Sequence, residues 1–284
     1  MPLVSGKGLL QAAMQGRYAL GSFNILNLEM VQGILEAAVE ERSPVILAIS
    51  QKAIDHAGLE QAAEMVKIAA GLTPVPVALH LDHGRDFRQA AVCLRGGFTS
   101  LMIDGSALSF DDNVAISRLV AEMAHALEVP VEGQLGRIAG KEDDIIVSEQ
   151  KATMTDPQEA RRFVELTGID WLTVAVGSVH LLTSRTAQLD FDRITAIREA
   201  IGIPLVLHGG SGIPDEGVRE AVARGICKIN IATHLNRAFL AAISDALTAN
   251  PQMVDPRVIL GEGKRAITEA TREKMRLFGS SGKA

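Results

Sequence analysis

Residues 204–233 read PLVLHGGSGIPDEGVREAVARGICKINIAT, and this stretch carries a strand, a glycine-rich turn, a helix and a second strand. Pro204–His208 and Cys227–Ile231 are short β-rich runs, and Asp215–Gly225 between them is an amphipathic helical segment. Strand, helix and strand in this order imply a right-handed crossover between parallel strands. Working outward, the same alternation covers almost the whole chain. Further strands are expected at Ala19–Asn24, Pro44–Ser50, Val75–Leu81, Ser100–Asp104, Val129–Gln134 and Trp171–Val176. Helical patterns fall between them at Leu28–Arg42, Leu59–Ala70, Asp111–Glu128, Asp156–Thr167 and Asp190–Ile201. The strands are near-continuous Val, Ile, Leu and Ala, as expected of a parallel sheet covered on both faces.

Eight such repeats close into an α/β TIM (β/α)8 barrel. The open alternative, a doubly wound dinucleotide-binding sheet, would place GxGxxG after the first strand, and that motif is missing there. Ser5 is placed to cap an N-terminal helix over Gly6–Gln15 that plugs one end of the barrel. Asp255–Phe278 reads as an additional C-terminal helix, docked outside the barrel or against another subunit. Without a Pro/Ser linker or low-complexity segment, residues 1–284 read as a single domain.

Composition narrows the function classes. With 47% hydrophobic and 22% charged residues the chain can build a core and has no disorder signature. A formal charge of −6 argues against nucleic acid or an anionic membrane as the main partner. The two cysteines, Cys93 and Cys227, lie in apolar segments and read as buried, reduced thiols. The N-terminus lacks a signal-peptide pattern, and no apolar run is long enough to span a bilayer, so a cytoplasmic protein is expected.

In a TIM barrel, chemistry sits at the C-terminal ends of the strands. Here those ends carry Asn24, Ser50, Asp82–His83, Asp104, Glu132 and Gln134, His180, His208 and Asn230. His83, His180 and His208 are expected to converge over one mouth. Three neutral imidazoles make a tetrahedral zinc site with one open position, the catalytic pattern. The bland reading is three separate turn histidines. His56, His125, His234 and the mid-strand His80 read as structural or solvent-facing. Asp82 is placed to exchange a proton with a substrate hydroxyl, or else to orient a histidine. Asp104 and Gln134 are candidates for supporting or alternate metal contacts, with turn capping the competing role for Asp104.

Two turns suit a phosphate: His208-Gly209-Gly210-Ser211-Gly212 and Asn230-Ile231-Ala232-Thr233, each leading into a helix. Gly136–Ala152 is long, glycine-bounded and acidic, with Glu142, Asp143 and Asp144. It reads as a lid whose Glu142 swings in as an acid or base, or as a solvated acidic loop. Lys228 offers a rival chemistry, a lysine Schiff base.

Taken together, Ala78-Leu-His-Leu-Asp-His-Gly84, Gly97–Ser106, Val206–Gly212, Lys228–Thr233, Thr155-Asp-Pro157 and Phe23-Asn24 resemble class II fructose/tagatose-bisphosphate aldolases, in order and along nearly the whole chain. The resemblance implies Zn2+ held by His83, His180 and His208, and Asp82 moving the proton at the cleaved bond. It also implies Gly209, Ser211, Asn230 and Thr233 on the ketose phosphate and Glu142 as the loop acid/base. A monovalent cation near the phosphate, a homodimer or homotetramer, and in some tagatose-type members an accessory subunit belong to the same expectation. The implied reaction is reversible cleavage of a phosphorylated ketose to dihydroxyacetone phosphate and an aldehyde through a metal-stabilised enediolate. A noncatalytic sugar-phosphate-binding paralogue or accessory subunit, a metal-dependent isomerase or epimerase, and an aldolase for a different ketose phosphate are the alternatives. This chain departs from the family pattern at His180-Leu181-Leu182, where His-Gly is usual, at Glu132-Gly-Gln134, where Glu-x-Glu is usual, and at Ala139-Gly140, where two glycines are usual. These departures point to an altered substrate or efficiency.

Overall fold

The structure is a computed structural model that describes residues 3–142, 145–182 and 184–284. Its strands are β1 Leu20–Asn24, β2 Val45–Ser50, β3 Val77–Gly84, β4 Ser100–Ile103, β5 Val131–Leu135, β6 Ala139–Glu142, β7 Ile145–Val147, β8 Trp171–Val174, β9 Val179–His180, β10 Leu205–Leu207 and β11 Ile226–Ile231. Its helices are α1 Gly6–Gly16, α2 Leu28–Glu41, α3 Gln51–Ala57, α4 Leu59–Gly71, α5 Phe87–Arg95, α6 Phe110–His125, α7 Pro157–Thr167, α8 Phe191–Ile201, α9 Asp215–Arg224, α10 Thr233–Ala249 and α11 Pro256–Phe278. Eight parallel strands close the barrel in the order β1-β11-β10-β8-β5-β4-β3-β2, and Ser22 opposite Asn230 marks the closing seam. All eight barrel strands overlap those expected from the sequence.

Helix starts follow local chemistry. Asn27, Asp86, Ser109, Asp156, Asp190 and Asp255 each accept a backbone N–H of the first turn, satisfying donors that the helix itself leaves unpaired. No helix among the described residues is long and apolar enough to cross a membrane.

Strand alternation divides the side chains into two sets. Leu79 and Leu81 of β3, Leu172 and Val174 of β8, and Ile229 and Ile231 of β11 point outward into the layer shared with the helices. The inward set is stacked in tiers. At the N-terminal end Leu20, Ile46, Ala78, Trp171 and Val206 pack against Leu10 and Ala13 of α1, which seals that mouth. Above them the interior turns polar, with His80, Glu132 and Lys228 all fully buried. The functional groups occupy the C-terminal tier. Helix α11 lies outside the barrel across α2 and α10, where its Lys264 pairs with Glu36 of α2 at 2.9 Å.

Two expectations need correcting. The long segment after β5 is not simply a loop: β6 and β7 form a hairpin, and β6 also pairs with β9 to make a three-stranded sheet beyond the barrel. His180 therefore sits on that accessory sheet and not at the end of a barrel strand, because β8 stops at Val174. Asp143 and Asp144, counted in the expected lid, lie outside the described residues, as does Thr183.

Candidate active site

The site begins with β3, whose Asp82 and His83 both serve the barrel mouth although neighbours on a strand face opposite ways. The backbone resolves this conflict. His83 takes a left-handed φ of 48°, and the pairing of β3 with β4 slips between Leu81 and Gly84. A left-handed φ costs a non-glycine residue about 1–2 kcal/mol, and here that strain accompanies two consecutive functional side chains at one mouth.

His83, His180 and His208 offer ring nitrogens that all lie within 4.8 Å of one another. Two of the rings are already oriented. His83 holds Asp104 Oδ2 through Nδ1 at 2.8 Å, and His208 holds Glu132 Oε1 through Nε2 at 3.1 Å. Their remaining nitrogens, His83 Nε2 and His208 Nδ1, face each other at 2.9 Å. When each engaged nitrogen carries its proton toward a carboxylate, the two facing nitrogens present lone pairs to one point, a donor set suited to a metal ion. Burial keeps the pKa of His208 below the ordinary imidazole value, which favours the neutral, ligating form.

Asp82 is almost wholly buried and its two oxygens are separately held: Asn24 Nδ2 donates to Oδ2 at 2.7 Å and Asn230 Nδ2 to Oδ1 at 2.8 Å. Burial alone would raise its pKa. His83, His208 and Lys228 reverse that effect and hold the carboxyl well below the usual range, so it is ionised. Asp104 follows the same pattern at about 2, where burial is outweighed by its bonds to His83 and Ser106.

A pocket opens over this cluster, lined by Asn24, Asp82, His180, His208, Gly209, Ser211, Asn230 and Thr233 together with Val179, Leu181 and Ala232. Gly209 has a φ of 71°, and a Cβ there would meet the Val179 carbonyl oxygen at 2.8 Å, so only glycine lets these two segments close on each other. The remaining expected residues take other positions. Ser50 is buried opposite Asp82 in the β2–β3 register, and Gly210 is packed on Ile229 and Ile231; neither is among the lining residues. Gln134 donates to Ser106 Oγ at 3.1 Å, and its buried Oε1 has no hydrogen-bond partner among the described residues. The backbone of Glu142 ends β6, two residues beyond Gly140, which pairs with His180. Its side chain lies outside the described residues.

Sequence reasoning did not foresee the buried polar tier beneath the mouth. Glu132 accepts from Trp171 Nε1 at 2.6 Å, Thr173 Oγ1 at 2.5 Å and Lys228 Nζ at 2.7 Å while also holding His208. Burial would raise the Glu132 pKa, but Lys228 and His208 carry it well below the usual range. His80 completes the tier, with Nδ1 on Ser100 Oγ at 2.8 Å and Nε2 at 3.4 Å from Lys228. The signal was the period-2 run of polar residues inside otherwise apolar strands: His80 and Asp82, Glu132 and Gln134, Lys228 and Asn230. Leu181, where the resembled family has glycine, adopts a left-handed φ of 56° and leaves its side chain 54% exposed. The backbone thus keeps the glycine-type turn and the extra side chain is directed toward solvent.

Comparison with known proteins agrees with this geometry. The family model for class II fructose-bisphosphate aldolase matches residues 4–283. The chain is 42% identical over 284 residues to a sulfofructosephosphate aldolase of Alkalicoccus urumqiensis, covering 100% of this chain and 99% of that protein. Among solved structures, the YdjI aldolase of Escherichia coli K12 superposes with a TM-score of 0.86 at 34% identity, covering 99% of each chain. The fructose-bisphosphate aldolase of Campylobacter jejuni shares the fold, with a TM-score of 0.85 at 22% identity over 100% of this chain and 97% of that one. A closed parallel barrel, three converging imidazoles and a family match over nearly the full length lead to one assignment: the chain belongs to the class II fructose-bisphosphate aldolase family and is a metal-dependent aldolase, a carbon–carbon lyase.

Proposed function

We propose that this enzyme uses Zn2+ to cleave a ketose 1-phosphate, reversibly, to dihydroxyacetone phosphate and an aldehyde that carries a second anionic group. The observation that carries the proposal is the placing of Asp82, between two amide donors, in the same pocket as His180, His208 and the glycine turn. The relative's name supports a sulfonate as the distal group. Fructose- and tagatose-1,6-bisphosphate, with phosphate at that end, are the alternative substrates.

His83, His180 and His208 would hold the ion, and the three neutral donors fit zinc with a position left for substrate. The ion supplies Lewis acidity at the ketose carbonyl. The chain's own residues do the rest. Gly209, Ser211, Asn230 and Thr233 anchor the phosphate, whose binding energy positions the reacting carbons. Asp82, ionised and fixed by Asn24 and Asn230, accepts the proton of the C4 hydroxyl as the C3–C4 bond breaks. In the condensation direction it returns that proton to the aldehyde oxygen. The carbanionic C3 is protonated by Glu142, whose backbone lies on the strand paired with His180, or by water. Asp104 and Glu132 hold His83 and His208 in the ligating tautomers. Lys228 takes no covalent part, because it is fully buried and ion-paired to Glu132.

The test is a preparation of known metal content assayed on sulfofructose phosphate, fructose-1,6-bisphosphate and tagatose-1,6-bisphosphate, with His208→Ala as control. Chelation should abolish cleavage and zinc should restore it. Borohydride with substrate should trap nothing. Imine trapping, or activity that survives complete metal removal, would refute the reading.

A further inference from the structure

Beside the central pocket lies a second, open cavity of about 310 Å3, lined by Leu182 and Arg185 after β9, Ser211, and Thr233, His234 and Arg237 of α10. Ser211 and Thr233 line both spaces. Two arginines line the cavity and one lysine lies close by. Arg185 Nη1 lies 2.8 Å from Asp215 Oδ1, and Lys274, almost fully buried on α11, reaches the same oxygen at 3.7 Å, so one carboxylate oxygen serves two cations. Arg237 adds a guanidinium, and α10 brings the positive end of a 17-residue helix.

His234 reports this field. Its backbone N–H donates to Ser211 Oγ at 3.1 Å, while its ring Nε2 is buried without a hydrogen-bond partner among the described residues. Burial and then Lys274, Arg185 and Arg237 hold its pKa at about 4 against the opposing effect of Asp215, so the ring is neutral at neutral pH. A neutral imidazole can still offer one N–H to an anion. The cavity wall thus brings together two arginines, a histidine and a helix N-terminus, and the reaction described above uses none of Arg185, His234 or Arg237.

We propose that this cavity is a second oxyanion site, taking inorganic phosphate or a phosphate monoester beside the substrate's own phosphate. That the central pocket holds the substrate phosphate rests on the function proposed above; the second site does not. Two dianions sharing Ser211 and Thr233 repel each other, so an occupied second site raises KM for the ketose phosphate and leaves kcat unchanged.

Equilibrium dialysis of the zinc-loaded protein against labelled inorganic phosphate tests the site. Wild type is expected to bind two phosphates per chain and Arg185→Gln/Arg237→Gln one. Arg237→Gln alone, a change at an exposed residue, should weaken the second site about tenfold while the far-UV spectrum stays unchanged. In the kinetics, the saturable rise of KM with phosphate should vanish in the double variant. Asn230→Ala, which alters a wall of the central pocket alone, separates the two readings. One remaining phosphate that the arginine changes then abolish supports the second site even where the central reading fails. Displacement of that phosphate by glycerol phosphate identifies a site open to monoesters, and no displacement identifies one for free phosphate. A single phosphate in wild type that both arginine changes leave in place, or two phosphates retained in the double variant, overturns the proposal.

Discussion

Glu132→Gln is the change whose consequences the interior of the barrel defines most closely. The carboxylate is fully buried and takes donors from Lys228, Trp171, Thr173 and His208, all between 2.5 and 3.1 Å. A glutamine of the same shape keeps one acceptor oxygen, but it removes the charge opposing Lys228 and turns an NH2 toward groups that are themselves donors. Breaking a buried ion pair from one side costs about 3–5 kcal/mol, because the other charge is left without compensation. Lys228→Met should cost a similar amount, for the complementary reason. In Glu132→Gln/Lys228→Met neither charge remains, so the loss should be well below the sum, with a coupling of at least about 2 kcal/mol. Metal binding behaves differently. His208 loses its carboxylate partner in both glutamine variants, so zinc affinity should fall about 10–100-fold in each and stay unrescued by the lysine change. The assay is urea unfolding of zinc-free protein followed by the emission of Trp171, the single tryptophan, whose N–H donates to Glu132. Chelator competition then gives the metal affinity. Additive stability losses in the double variant, or single losses below about 1 kcal/mol, would refute the argument.

Three further outcomes follow from the same geometry. Asp82→Asn keeps the shape but turns an NH2 toward one of the two amide donors and cannot accept a proton; kcat should fall about 10²–10⁴-fold with unchanged zinc content, and near-normal turnover would remove Asp82 from the proton transfer. Leu181→Gly removes left-handed strain costing about 1–2 kcal/mol at a mostly exposed side chain, partly offset by glycine's greater freedom when unfolded. A net gain of about 0.5–1 kcal/mol in urea unfolding is expected, and a loss would mean the side chain contributes packing. His80, with a pKa lowered to about 3 by burial and Lys228, stays neutral in the folded protein while the unfolded residue protonates below its ordinary value of 6.5. Stability from this group is therefore complete above about pH 6.5 and falls as pH drops toward 3, by about 2 kcal/mol between pH 7 and 5. His80→Gln should flatten that part of the pH profile, and an unchanged slope would show that the proton uptake lies elsewhere.

The barrel was legible because its strands are short runs of Val, Ile, Leu and Ala covered on both faces, so each announced itself without alternation. The same feature concealed the interior. An isolated Lys228 or Glu132 in such a run reads as a local exception, and only closure of the barrel shows that strands β5 and β11, far apart in sequence, direct these two residues at each other. His83 and His208 were placed correctly because they follow recognisable strands. His180 was assigned to the right mouth but to the wrong support. β9 is two residues long, too short to carry a period, and it is a strand only through its pairing with β6. The β6–β7 hairpin was hidden in the same way, since four- and three-residue strands with Gly140, Lys141 and Glu142 among them have the composition of a loop. Ser50 illustrates a further limit. Its neighbour in register is the central aspartate, yet proximity along a sheet does not bring a side chain to the pocket wall.

The division of support among the three imidazoles also bears on how the seat for the ion is assembled. Two rings belong to the wall of the cylinder, while the third arrives on an appendage tied to the hairpin by main-chain pairing at Gly140. A Cβ at that glycine would collide with the His180 carbonyl, so the junction depends on a bare backbone. Any force that lifts the hairpin is therefore transmitted to the third ring before the wall itself is disturbed.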